Sequence, residues 1–115
     1  MMYDPYDIEW TATDPLERRI SMYKSVIELR EGKHDRPPEY LPIEEVRDIV
    51  SNPDRIDVSA QKDSRDIYYQ YCSDEEYPYA RAVVDFSKSK DDGDVVSWSR
   101  YRQPVSSHGI RYPKE

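Results

Sequence analysis

Arg55-Ile56-Asp57-Val58-Ser59, Asp66-Ile67-Tyr68-Tyr69-Gln70-Tyr71-Cys72, Tyr79-Ala80-Arg81-Ala82-Val83-Val84-Asp85-Phe86 and Val95-Val96-Ser97-Trp98-Ser99-Arg100-Tyr101 are the runs whose reading decides the fold. Each is rich in β-branched and aromatic residues and alternates its side chains between two faces, the pattern of a strand. Polar or glycine-bearing turns separate them. The link from Lys88 to Asp94 carries Asp92-Gly93, a hairpin-turn signal, and Ser73 to Pro78 makes a looser connection. Together they predict one antiparallel four-stranded sheet following Asn52-Pro53-Asp54.

Working outward, the first half reads as helical. Thr13-Asp14-Pro15-Leu16-Glu17 has the signature of a helix start, with Asp14 as cap, Pro15 at the first helical position and Glu17 at capping-box spacing. Leu16, Ile20, Tyr23 and Ile27 recur at spacings of three and four. A helix from Pro15 to Glu31, stopped by Gly32, follows from those signals. Lys33 to Tyr40 reads as a loop, since consecutive prolines do not sit inside a helix. Pro42 opens a second helix, Ile43 to Ser51, with Ile43, Val46, Ile49 and Val50 inward. Residues 1–13 read as an N-terminal arm, either ordered through Trp10 or a loose tail, and residues 103–115 as a C-terminal tail. The expected fold class is therefore α+β: one domain over residues 1–115, with two N-terminal helices packed on one face of the four-stranded sheet.

The chain has 115 residues, 36% of them charged, and a net charge of −7. Such a charge repels nucleic acid and anionic membranes on average, while a local cationic cluster still operates beneath an unfavourable mean. Acidic residues concentrate near the N-terminus, in Asp74-Glu75-Glu76 and in Asp91-Asp92, whereas Arg100 to Lys114 is basic and free of acid. A lone Cys72 fits a reducing compartment. No apolar stretch approaches membrane-spanning length and no signal-peptide core opens the chain, so a cytoplasmic location is the default expectation. Cys72, His34 and His108 have no zinc-ligand spacing, and neither a metal nor a cofactor is expected. Phosphate-loop, dinucleotide and hydrolase motifs are absent.

Three constellations carry chemistry. Ser97, Ser99 and Tyr101 fall on one face of the last strand with Arg100 and Arg102 on the other, unless a bulge intervenes. Arginine supplies fixed bidentate charge for a phosphorane, and hydroxyls orient a phosphate. The competing reading is an edge strand decorated with arginine against aggregation. His34, in Lys33-His34-Asp35-Arg36, is either an acid or base near neutral pH or a surface residue near a helix C-terminus. Tyr68, Tyr69, Tyr71, Tyr77 and Tyr79 either stack unpaired bases or pack across strands. Arg81 lies among them, positioned to meet a phosphate or to pair with Asp85 or Glu76.

The order of His-x-x-Pro-Pro-Glu, Asn-Pro-Asp-Arg-Ile, Ile-Tyr-Tyr-Gln-Tyr, Ala-Val-Val-Asp-Phe, Gly-Asp-Val-Val-Ser-Trp and Gly-Ile-Arg-Tyr, over residues 16–112, resembles the barnase–EndoU–colicin–RelE group of phage- and mobile-element-borne nuclease-like domains. The resemblance equates His34, Glu39 and Ser97 with that family's histidine, glutamate and strand threonine. It implies a helical part on a four-stranded antiparallel sheet, metal-independent RNA cleavage and a toxin partnered by an antitoxin.

The resulting expectation is an endoribonuclease-like toxin domain cleaving RNA by 2′-hydroxyl attack. Arg81 or Arg100 would stabilise the phosphorane and His34 would move protons. Ser97 and Tyr101 would orient the scissile phosphate, while Tyr69 and Arg102 would bind substrate. The rival is a non-catalytic protein-interaction or inhibitor module with an acidic surface. RNA, an antitoxin or another protein are the partners in view, and no membrane.

Overall fold

The computed structural model describes residues 7–31, 41–104 and 107–113, with backbone alone at residues 30 and 31. Among these residues, seven strands and two helices follow in the order β1 (Ile8–Thr13), β2 (Arg19–Tyr23), α1 (Lys24–Glu31), α2 (Ile43–Ser51), β3 (Arg55–Ser59), β4 (Arg65–Tyr71), β5 (Tyr79–Ser89), β6 (Asp92–Tyr101) and β7 (Ser107–Tyr112). All seven strands join one sheet in the order β1-β2-β6-β5-β4-β3-β7.

This overturns the expected fold class. Two N-terminal helices on a four-stranded antiparallel sheet are replaced by a seven-stranded mixed sheet that begins and ends with strands. Of the six pairings, five are antiparallel, and β2 with β6 is parallel. Within the expected N-terminal arm Ile8–Thr13 forms β1, and within the expected C-terminal tail Ser107–Tyr112 forms β7.

The largest error falls on residues 15–23. Asp14 does cap, but it closes a hairpin turn: its Oδ1 accepts the backbone N–H groups of Leu16 and Arg18, each at 2.9 Å. Glu17 takes φ 66°, a left-handed conformation that no helix interior contains. The chain then turns back as β2, where Ile20, Ser21, Met22 and Tyr23 are all buried. A strand paired on both sides and covered on both faces has no alternation to display, so its apolar residues fit a helical stripe equally well. Helix α1 starts only at Lys24.

Gly93 explains the second local error. Asp92-Gly93 is not the hairpin turn but the start of β6, with Gly93 paired to Ile20 of β2. A Cβ there would come within 2.4 Å of Val84 Cγ1 and 2.7 Å of the Phe86 ring. The glycine lets β2 and the β5 side chains close on the same point.

Helix α2 occupies the bounds read from its sequence and buries Val46, Ile49 and Val50. They meet Tyr68, Ala80, Ala82, Val84, Val95 and Trp98 in one apolar cluster, against which Val26 and Ile27 of α1 also pack. Pairing register assigns the sheet faces, because directly opposed residues project to the same side. Gln70, Ala80 and Arg100 form one row on the helix side, and Tyr68, Ala82 and Trp98 the next. Gln70 donates to Asp48 Oδ2 at 2.9 Å and Arg100 Nη2 lies 3.1 Å from Glu45 Oε2, which ties that face to α2.

A buried ionic cluster fastens the sheet. Arg18 places Nε 2.9 Å from Asp14 Oδ2 and Nη1 2.8 Å from Asp66 Oδ2. Arg111 of β7 brings Nε to 2.7 Å from the same Asp66 oxygen, a close charge contact rather than an aligned hydrogen bond. Tyr68 donates its hydroxyl to Asp14 and accepts from Arg18 Nη2. Burial pushes the Tyr68 phenol far above its usual range, against the pull of the Arg18 charge, so it serves as a neutral donor. Two carboxylates and two guanidiniums thus join the β1–β2 turn, β4 and the edge strand β7.

Candidate functional site

The face opposite α2 carries the groove. Its cross-strand rows on β4, β5 and β6 are Tyr71–Tyr79–Tyr101, Tyr69–Arg81–Ser99, Ile67–Val83–Ser97 and Arg65–Asp85–Asp94. A register shift between Val83 and Val84 makes Val96 the extra residue of a bulge, so Val95 turns to the helix side while Ser97, Ser99 and Tyr101 keep the open one. Tyr101 ends the third strand of the sheet and Ser107 starts the seventh. Arg102, Gln103 and Pro104 leave along the open face and border an open groove of about 980 Å³, whose far wall is Ser59 to Gln61.

Arg81 occupies the middle of this groove. It is only 9% exposed, and among the described residues its Nε and Nη1 have no hydrogen-bond partner. The guanidinium carbon lies 3.3 Å from the centroid of the Tyr101 ring. Cation–π attraction offsets part of the cost of burying the charge. Neither Asp85 nor Glu76 pairs with it: Arg65 Nε holds Asp85 at 3.0 Å, and Arg102 Nη2 holds Glu76 at 2.9 Å. Burial opposes ionisation of Asp85, but hydrogen bonds from Ser87 and the Arg65 charge prevail and lower it from 3.8 to about 2. The neighbouring arginines are thus neutralised, and among the described residues Arg81 is left with an aromatic ring alone.

The expected site residues separate accordingly. Arg81, Ser97 and Tyr101 come together, with Ser99 beside them. Ser99 already donates its hydroxyl to Arg100 O at 3.2 Å. Arg100 borders the groove, yet its charge is directed to Glu45 of α2 on the opposite face. Arg102 is exposed, stacked 5.3 Å from the Tyr77 ring centroid and paired with Glu76. Tyr69 is 1% exposed and makes an edge contact with Tyr79 at 6.2 Å, so its ring is covered and cannot stack a base. His34 and Glu39 lie outside the described residues. Cross-strand packing also accounts for Tyr71 and Tyr79, whose ring centroids are 5.6 Å apart.

Sequence reading missed Ser59 to Gln61, Gln103 and Pro104 as groove walls. Only the pairing of β7 beside β3 brings these two segments to one groove, and no local signal encodes that juxtaposition. Among the described residues, the groove's lining includes no histidine and no carboxylate, the side chains that most often move protons. Among the same residues no three His, Cys, Asp or Glu gather as metal ligands, and no helix is long and apolar enough to cross a membrane.

No family model, curated protein or solved structure matches this chain. The nuclease and toxin terms suggested by the resemblance therefore gain no support from the comparisons. The helical layer on four antiparallel strands that came with them is not the architecture adopted.

Proposed function

We propose that this chain is a non-catalytic binding module whose open sheet face takes up an anionic ligand at Arg81. The observation that carries this reading is Arg81, a residue 9% exposed that borders a groove, with two guanidinium nitrogens lacking any hydrogen-bond partner among the described residues. A charge taken out of water without a counterion costs several kcal/mol, roughly, so its retention favours a use that depends on it. Ser97 supplies a hydroxyl beside it, and Ile67 and Val83 an apolar floor. The lack of histidine and carboxylate in the described lining favours binding over catalysis.

The test is an amide-resolved NMR titration with small oxyanions at constant ionic strength, on the native chain and on Arg81→Gln. Saturable shifts confined to the open-face residues of β4, β5 and β6, and lost in the variant, support the module. Shifts that persist unchanged in Arg81→Gln refute it. Incubation with single-stranded RNA in excess chelator should leave the RNA intact; cleavage that Arg81→Gln abolishes would replace binding by nuclease chemistry.

A further inference from the structure

Resting on that reading, we infer that the ligand at Arg81 is a carboxylate carried next to an aromatic or bulky apolar group, not a phosphate. Charge counting comes first. On the open face Arg55 pairs with Asp57, Arg65 shares Asp85 with Lys62, which lies outside the groove lining, and Arg102 at the rim pairs with Glu76. Among the described residues of the groove, one positive charge is left at Arg81, inside a chain of net charge −7. A phosphate monoester carries about −1.5 to −2 near neutral pH and would leave the groove negative. A carboxylate carries one charge and matches the guanidinium.

Donor supply gives the same answer. Phosphate sites gather several cations, or the backbone N–H groups of a helix N-terminus or glycine-rich turn. Here the floor is strand, its N–H groups engaged in the ladder, and α2 packs on the reverse face. Ser99 is engaged with Arg100 O, which leaves Arg81 and Ser97 as the donors on the two central rows, while the hydroxyl of Tyr101 and the amides of Gln61 and Gln103 also line the groove. The planar fork of arginine suits the two oxygens of a carboxylate. A polynucleotide draws its affinity from neutralising many phosphates, and a single guanidinium cannot provide that.

The rest of the groove selects the group attached to the carboxylate. Ile67 and Val83 form an apolar patch one row from Arg81. The Tyr101 ring covers the guanidinium from the end of β6, and its rotation about χ1 uncovers the charge and leaves a ring edge for the ligand to pack on. An aromatic acid and the C-terminus of a peptide ending in an aromatic residue share this chemistry.

The experiment uses the whole chain and four probes: N-acetylphenylalanine, its neutral carboxamide, phenyl phosphate, and a hexapeptide ending in Phe with a free carboxylate. Saturable binding of N-acetylphenylalanine, weakened about tenfold or more in the carboxamide and in Arg81→Gln, is expected from loss of a charge-assisted pair. Ser97→Ala should weaken it several-fold while leaving the fold intact by amide spectrum. Tighter binding of the hexapeptide assigns the groove to peptide C-termini, and equal binding to free acids; both support the inference. Phenyl phosphate binding more tightly than the carboxylate overturns the inference and leaves the anion-binding module standing. Absence of binding by all four probes refutes both.

Discussion

Replacing Arg81 with methionine should make the unliganded protein more stable. The residue is 9% exposed, and its Nε and Nη1 find no acceptor among the described residues. Desolvating such an ion costs several kcal/mol after relaxation, roughly. Stacking at 3.3 Å on Tyr101 returns about 0.5–2 kcal/mol of this. Methionine keeps the length of the side chain, packs its thioether on the same ring and carries no charge to desolvate. A net gain of about 2 kcal/mol is the expected result. With an unfolding entropy of about 2.1 cal/mol/K per residue over 115 residues, that raises the melting temperature by about 8 °C. Calorimetry without ligand measures the gain directly. Arg100→Met is the comparison: its Nε is also buried without a hydrogen-bond partner, but its charge is paired with half-exposed Glu45, so a smaller gain than in Arg81→Met is expected. A melting temperature that falls in Arg81→Met, by as much as in any core truncation, would mean that Arg81 is structural and that its unpaired nitrogens are no functional signal. A stability gained together with lost ligand binding is the trade-off of a residue kept for function.

Three further outcomes follow from the scaffold. Asp66→Asn removes the 2%-exposed carboxylate that serves both Arg18 and Arg111, and should cost about 3–5 kcal/mol, with hydrogen exchange rising first in β7; unchanged β7 protection would show that the cluster does not hold the edge strand. Gly93→Ala forces a methyl group against Val84 and Phe86 and should destabilise by about 1–3 kcal/mol in urea melts; a neutral result would mean that β5 and β6 yield more readily than their packing implies. Asp85 is depressed in the folded state, so its contribution is present above the unfolded value near 3.8 and disappears as pH falls towards about 2. Acid unfolding followed by circular dichroism should therefore steepen between those values in the native chain and flatten in Asp85→Asn, and superimposable curves would disprove the linkage.

What could be read in advance divides along a physical line. Strands β3, β5 and β6 and helix α2 were legible from their periods and the turn signals that bound them, and β4, buried on both faces from Asp66 to Tyr69, from its aromatic run between such turns. β2 was not, since burial on both faces erases the period and leaves Ile20 and Tyr23 in helical register with Leu16 and Ile27. β7 was missed for the opposite reason. Ser107 to Tyr112 is largely exposed at the sheet edge, and its pairing with β3 is bent by two irregularities in register. Its hold comes from Arg111 on Asp66, a contact between residues remote in sequence.

The same distinction governs the site. Ser97 and Tyr101 could be placed on one face of their strand from alternation alone, because that needs only local geometry. Which arginine stays unpaired could not be known this way. Arg81, Arg100 and Arg102 look equivalent in the sequence, and each has a carboxylate within plausible reach. The sheet register turns Arg100 towards α2, the loop before β5 delivers Glu76 to Arg102, and the strand sets Asp85 two rows from Arg81, where Arg65 pairs with it. Three pairings made elsewhere therefore isolate the guanidinium on the groove floor. A reversal of charge at any of these acids should change the groove through the arginine it releases. Asp85→Lys, which adds a cation and frees Arg65 two rows along the groove from Arg81, should convert a site for one carboxylate into one that accepts a phosphate dianion. Titration of that variant with phenyl phosphate reads this directly, and an affinity no greater than that of the native chain would show that the ion pairs around the groove do not set its charge preference.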